Sequence, residues 1–290
     1  MLELIGNTPL VSLRKLLPAG SRVRLFGKLE GQNPGGSVKD RAALSMIRGA
    51  MEAGRLRGKR IVEATSGNTG IAMAMIAAHF DLPITLIMPE NSTQERIDTM
   101  RAYGAEVILT PAERTIEYSR ELAQEMEDGG EYVQINQFAN PDNWRAHYRT
   151  TGPEIWRDTD GQVTHFVSSM GTTGTITGTG RYLHEQSPAV RIVGVQPTDG
   201  SRIPGIRRWS PAFVPAIYDE SQVDRKLDVS QEEAVATMRR LAREAGVFAG
   251  MSSGGATAAA LRLAEELDEG LIVCIICDRG DRYLSSGIFG

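Results

Sequence analysis

Hydrophobic and polar positions along this chain follow two periods in turn. Short apolar or alternating runs read as strands: Arg22 to Leu29, Arg60 to Ala64, Ile84 to Met88, Glu106 to Thr110 and Tyr132 to Ile135. Between them, apolar residues return at helical spacing. These segments are Val38 to Ala53, closed by Gly54; Ile71 to Phe80, rich in Ala and Met; a helix capped by Ser92 or Thr93, running to Tyr103 and ended by Gly104; and Thr115 to Glu127. Alternating strands and helices are the signature of an α/β protein with a mainly parallel sheet between layers of helices.

The second half repeats the alternation less regularly. Asn140 to Trp156 reads as irregular helix interrupted at Gly152-Pro153, and a second unit is expected to begin near here. There follow a strand His165 to Ser168, a glycine turn Gly171 to Gly174, a helix Thr175 to Glu185 and a strand Arg191 to Gln196. Pro197 to Tyr218, with Pro197, Pro204, Pro211 and Pro215, is a long loop of the kind that often carries function. Gln222 to Asp228 is extended. Ser230 caps a helix to Glu244, closed by Gly246; Ser252-Ser253-Gly254-Gly255 opens an Ala-rich helix to Glu266; and Leu271 to Cys277 is a buried strand.

Composition narrows the function classes. A chain of 290 residues makes one large or two modest domains with ample core. The net charge of −4 is well mixed and no basic run stands out, so no nucleic-acid surface is expected. No apolar stretch approaches the ~20 residues that span a bilayer, and Met1 to Gly6 lacks the features of a signal peptide. Two cysteines, Cys274 and Cys277, fit a reducing cytoplasm. Residues three apart on a strand face opposite sides, so neither a disulfide nor a metal is expected of this pair; Cys277, ending its strand, is expected to face a site. His79, His147, His165 and His184 show no metal-ligand spacing.

The candidate chemistry begins at Asn33-Pro34-Gly35-Gly36-Ser37-Val38-Lys39-Asp40-Arg41. Ser37 reads as a helix N-cap, with Asp40 as the acidic half of a capping-box-like pair. Lys39 then lies in the first helical turn, where the macrodipole disfavours a cation and so favours a neutral, nucleophilic amine able to form a Schiff base. A surface lysine beside Asp40 and Arg41 accounts for the same residues. The turn Gly171-Thr172-Thr173-Gly174-Thr175 joins a strand to a helix and offers backbone N–H groups and hydroxyls to a phosphate, as an ordinary turn of this kind also would. Thr65 to Gly70 has the same form and suits a carboxylate, and Ser252 puts a hydroxyl at a late helix start, where a plain N-cap serves equally well. Together, a lysine and a phosphate cup at the strand ends of an α/β sheet suggest pyridoxal phosphate.

The order of these stretches resembles the cysteine synthase (O-acetylserine sulfhydrylase) family, among the fold-type II, tryptophan synthase β-like pyridoxal phosphate enzymes. The matching segments are Ile5 to Leu10, Asn33 to Arg41, Thr65 to Gly70, Gly171 to Gly178 and Ser252-Ser253-Gly254. Ser168 to Thr175, Ile203 to Trp209 and Ile276 to Ser285 resemble the B isoform within that family. The resemblance implies two three-layer α/β/α subdomains. Residues 1–12 and 35–143 would form a smaller, mobile one that binds the substrate carboxylate. Residues 13–34 and 144–290 would form a larger one that binds the cofactor phosphate. It further implies that Lys39 carries pyridoxal 5'-phosphate and moves the Cα proton. Asn68 would contact the phenolic oxygen, Gly171, Thr172, Thr173, Gly174 and Thr175 would hold the phosphate, and Ser252 would meet the pyridine nitrogen. Thr65, Ser66, Thr69 and Gln137 would take the substrate carboxylate. Arg207, Arg208 and Cys277 would shape the site for sulfide or an anionic sulfur donor such as thiosulfate. The implied activity is β-replacement on O-acetyl-L-serine in a cytoplasmic homodimer. O-Phosphoserine as donor, a dehydratase or cystathionine β-synthase core on the same fold, and a catalytically silent binding protein are the competing readings. Around Thr115, Ile116 and Tyr118 the chain departs from the family's usual Gly-Met-x-Gly.

Overall fold

In the computed structural model, which describes residues 1–65 and 67–289, the strands sort into two sheets. In chain order the elements are β1 (Leu10–Ser12), β2 (Arg22–Leu29), α1 (Lys39–Glu52), β3 (Arg60–Ala64), α2 (Asn68–His79), β4 (Ile84–Pro89), α3 (Gln94–Ala102), β5 (Glu106–Thr110), α4 (Thr115–Asp128) and β6 (Tyr132–Gln134). There follow α5 (Pro141–Arg149), α6 (Thr151–Asp158), β7 (His165–Ser169), α7 (Gly174–Gln186), β8 (Arg191–Pro197), β9 (Arg225–Val229), α8 (Gln231–Ala245), α9 (Met251–Glu266) and β10 (Glu269–Ile276). Among the described residues, one sheet has the order β5-β4-β3-β6 and is parallel throughout. The other has the order β1-β2-β10-β7-β8-β9 and is parallel except for β1, which runs antiparallel to β2.

Burial explains why each segment takes its form. Every residue of β4 is buried, as a central parallel strand covered on both faces requires. Helix α2 is apolar nearly all round because α1 and α3 pack against it, so almost no face is left for water. Helix α8 is amphipathic, and its ends are the ones the sequence indicates. Ser230 Oγ accepts from Glu233 N at 3.1 Å, Glu233 returns the bond to Ser230 N at 2.7 Å, and Gly246 takes the left-handed conformation. On the larger sheet one core lies beneath α8 and α9, and another beneath α6 and α7.

Six expectations change. Ser37 does not cap α1: Val38 holds that position, and Ser37 Oγ accepts only a long bond from Lys39 N at 3.3 Å. Asp40 instead reaches Gly35 N at 2.5 Å, because the turn closed by Gly36 N to Asn33 O brings that N–H back over the helix end. The break after Asn140 falls at Thr150 and not at Gly152-Pro153; Pro153 sits in the first turn of α6, where its missing N–H costs nothing. Helix α2 begins at Asn68 and not at Ile71. Gly250 is the N-cap of α9, which makes Ser252 its second residue. Residues 10–12, expected with the smaller unit, hydrogen-bond to β2 of the six-stranded sheet.

Buried charge ties the halves of the chain together at the start of α1. The Arg41 guanidinium lies between Glu30 (Nε to Oε2, 2.7 Å) and Glu154 (Nη1 to Oε1, 2.6 Å), and Lys28 Nζ meets the other Glu154 oxygen at 2.8 Å. Burial opposes ionisation of Glu154, but its hydrogen bond and charge contact with Arg41, reinforced by Lys28, hold the carboxyl at about 2. Asp40 and Arg41 are therefore interior groups, and Lys39 projects from a rigid support.

Candidate active site

The carboxyl ends of β3, β7 and β10 open onto one cleft between the sheets, the place where parallel α/β sheets bind ligands. The cleft encloses about 110 Å³. The amino ends of α1, α2, α7 and α9 converge on it. Its described lining carries Lys39, Arg96 and Arg207 and no carboxylate, so helix termini and side chains both favour an anionic occupant.

Lys39 is the first residue of α1, half-buried, and its side chain has no hydrogen-bond or ion-pair partner among the described residues. Across the cleft, β7 runs into Gly171-Thr172-Thr173 and then α7. Thr173 is left-handed (φ +71°) and no side chain caps the helix, so the first-turn N–H groups keep their donors free. A Cβ at Gly174 would collide with Asn143 Oδ1, and one at Gly171 would lie 2.8 Å from the Gly205 carbonyl, so neighbouring groups press directly on this turn. Thr172 and Thr175 line the cleft; Thr173 and Gly174 are buried and carry the turn into α7. Thr175 shares a hydrogen bond of 3.3 Å with His147 Nε2, whose Nδ1 meets the Thr151 hydroxyl at 2.9 Å. Burial, helped by Arg41, pushes this imidazole down to about 3, so it stands neutral behind the cup.

Thr65, Thr69 and Gln137 lie together at the opposite wall. Thr65 Oγ1 accepts from Gly67 N at 3.2 Å and Gly70 N at 3.0 Å, and Thr69 donates to Gln137 Oε1 at 2.8 Å. Ser66 lies outside the described residues. Asn68 lines the cleft with its amide committed at both ends: Nδ2 donates to Asp278 Oδ2 at 2.7 Å and Oδ1 accepts from Arg282. Ser252 and Cys277 also line it; burial pushes the Cys277 thiol up to about 11, against the pull of Lys39. Cys274 and Cys277 are both free thiols. Among the described residues no three His, Cys, Asp or Glu side chains converge as metal ligands, and no helix is long and apolar enough to cross a membrane.

Residues 1–278 match the sequence profile described as pyridoxal-phosphate dependent enzyme. The chain belongs to the pyridoxal-phosphate dependent enzyme family. It is 59% identical over 288 residues to cysteine synthase B of Pseudomonas aeruginosa, covering 99% of this chain and 96% of that one. To cysteine synthase B of Escherichia coli K12 it is 58% identical over 290 residues, covering 99% and 95%. The crystal structure of cysteine synthase (OASS) from Entamoeba histolytica superposes with a TM-score of 0.93 at 38% identity, covering 99% of this chain and 89% of that one. The fold is therefore fold-type II, and this pyridoxal-phosphate enzyme's cleft fits its cofactor. An unpartnered lysine amine faces it, uncapped helical N–H groups with flanking hydroxyls suit the phosphate, and no described carboxylate in the lining repels it.

Two sequence expectations divide at the long loop. Arg207 lines the cleft and lies over the Trp209 ring, 5.6 Å from its centroid. Arg208 does not: its guanidinium pairs with Asp228 at 2.6 Å and Asp199 at 3.3 Å and donates to Pro197 O at 3.0 Å. Sequence reasoning gave no role to Asn143, His147, Arg96, Trp209 or Tyr283. A signal for the first two exists. Asn143 and His147 are four apart on the face of α5 that packs against α7, opposite Gly174 and Gly178, which are also four apart.

Proposed function

We propose that this chain is a cysteine synthase of the B type, replacing the acetate of O-acetyl-L-serine by sulfide to give L-cysteine, and forming S-sulfocysteine when thiosulfate is the donor. The observation that carries the reading is the Lys39 amine, partnerless among the described residues, facing a cationic cleft built on this family's fold.

Each residue then has a task. Lys39 would hold the cofactor through its aldehyde carbon, and its amine would take the substrate's Cα proton as acetate leaves Cβ and return it once sulfur has taken that place. The N–H groups and hydroxyls of Gly171, Thr172, Thr173, Gly174 and Thr175 hold the phosphate. Asn68 keeps one amide hydrogen for the phenolic oxygen while Asp278 holds the other. Ser252 would offer the pyridine nitrogen a neutral hydroxyl, which would leave the ring less electron-withdrawing and favour elimination. Thr65, Ser66, Thr69 and Gln137 receive the substrate carboxylate. When bound, the cofactor supplies the electron sink that loosens the Cα proton. Arg207 attracts an anionic sulfur donor, Cys277 forms part of the wall where sulfur enters, and Arg208 supports the loop.

The four-stranded unit, expected over residues 1–12 and 35–143 but without 10–12, which pair with β2, closes on the substrate against the unit built on the six-stranded sheet. Ile116, in the segment that departs from the family pattern, lines the cleft and would move with it. The protein works as a cytoplasmic homodimer.

The test is product identification with O-acetylserine or O-phosphoserine, each with sulfide or thiosulfate. Cysteine from O-acetylserine and sulfide is the expected result. Pyruvate without a sulfur amino acid would assign a dehydratase instead, and strict dependence on O-phosphoserine would change the donor.

A further inference from the structure

One buried titratable group beside the cleft has no part in the chemistry above. Glu63 is the fourth residue of β3, two before Thr65, and is 2% exposed. Its carboxylate crosses to the chain leaving β6: Oε2 accepts from Asn136 N at 2.8 Å and Oε1 from Gln137 N at 3.2 Å. Burial pushes this carboxyl up to about 7, against the pull of the Asn136, Gln137 and Ile135 N–H groups.

The turn it holds is strained and well connected. Asn136 is left-handed at φ +55°. Its carbonyl accepts from Ala139 N at 3.1 Å and Asn140 N at 2.9 Å. Gln137 turns its side chain to Thr69, while its carbonyl accepts from Asn143 Nδ2 at 2.7 Å, which also donates to Thr172 at 3.2 Å. Glu63 thus binds together two segments that each supply carboxylate ligands, one through Thr65 and Thr69 and the other through Gln137.

We infer that Glu63 is a positioning residue for the substrate-carboxylate subsite, holding the 136–137 turn so that Gln137 faces Thr69 at the spacing an α-carboxylate requires. The inference rests on the proposed role of Thr65, Thr69 and Gln137. Glutamine at position 63 keeps one acceptor but turns an NH2 group toward a backbone N–H, so one of the two bonds is replaced by a donor–donor clash.

The experiment is equilibrium binding of L-serine to holoenzyme, read from the cofactor's visible absorbance, for wild type, Glu63→Gln and Gln137→Ala. At pH well above 7, where this carboxyl is ionised, Glu63→Gln is expected to weaken L-serine on the order of tenfold, since the bond it removes then has a charged acceptor. The KM for O-acetylserine should rise in step while kcat stays within about twofold, the mark of lost uniform binding. The resting absorbance should stay as in wild type, and the melting temperature should fall by a few degrees, the cost of one buried donor–donor contact. Wild-type affinity in Glu63→Gln with weakened binding in Gln137→Ala overturns the positioning role and leaves the carboxylate site standing. Wild-type affinity in Gln137→Ala removes the carboxylate site, and the inference with it. A fall in kcat with unchanged KM overturns the inference as well. If Glu63→Gln does not fold, Glu63→Asp retains the charge but withdraws it by one methylene; several-fold weaker L-serine binding supports the inference, and wild-type affinity contradicts it.

Discussion

Trp209 Nε1 donates to the Gly171 carbonyl at 2.8 Å. This bond pins the proline-rich loop after β8 to the first residue of the proposed phosphate cup, and the Trp209 ring also meets Phe138 edge-on at 5.7 Å. Trp209→Phe keeps an aromatic ring but loses the donor. Cofactor affinity, measured by equilibrium dialysis of the holoenzyme, is expected to fall about fivefold, the value of one ordinary hydrogen bond. Unchanged affinity would detach the loop from the cup.

Arg207 and Arg208 should separate in kinetics although they are adjacent. Arg207→Ala is expected to lower kcat/KM for thiosulfate by about tenfold, through the loss of a cation at the cleft, and to spare sulfide. Arg208 is already occupied by Asp199 and Asp228, so Arg208→Ala should shift thiosulfate kinetics by less than about twofold. Equal losses in both variants would contradict this division.

Protonation of His147 sets a pH dependence of stability. Its folded value of about 3 lies below the ordinary 6.5, so at intermediate pH the unfolded chain takes up a proton that the folded chain does not. Its contribution is therefore complete above pH 6.5 and lost as pH falls toward 3. Denaturant midpoints measured across that window should fall less steeply for His147→Gln than for wild type. Parallel profiles would show that the imidazole does not titrate on unfolding.

The buried cluster around Arg41 should be intolerant of partial removal. Glu154→Gln leaves Arg41 and Lys28 facing a neutral amide in the interior, and the expected loss is about 3 kcal/mol in chemical denaturation. A loss below about 1 kcal/mol would mean that solvent reaches the cluster.

What could be read from sequence was local. The turn Gly171 to Gly174, the capped helix after Ser230 and the apolar run of β4 each declare themselves within a few residues, by glycine, cap or burial pattern. What escaped depends on distant partners. Asn68 finds Asp278 and Arg282 more than two hundred positions away, and Glu63 meets residues beyond the next three crossovers. Asp40 was paired with the wrong N–H because the turn that returns Gly35 to it has no signal beyond its glycines. The three-residue β1 carries too little pattern to be read as a strand before β2 is in place. The family resemblance supplied roles for site residues that spacing left open, but not the groups behind them.

The account depends most directly on a covalent bond at Lys39. Holoenzyme reduced with borohydride and digested should yield one peptide bearing a pyridoxyl group, with fragmentation placing it on Lys39, and Lys39→Ala should yield none and lack the visible absorbance. A pyridoxyl group on another lysine, or an unmodified Lys39 in protein that turns over O-acetylserine, would contradict it.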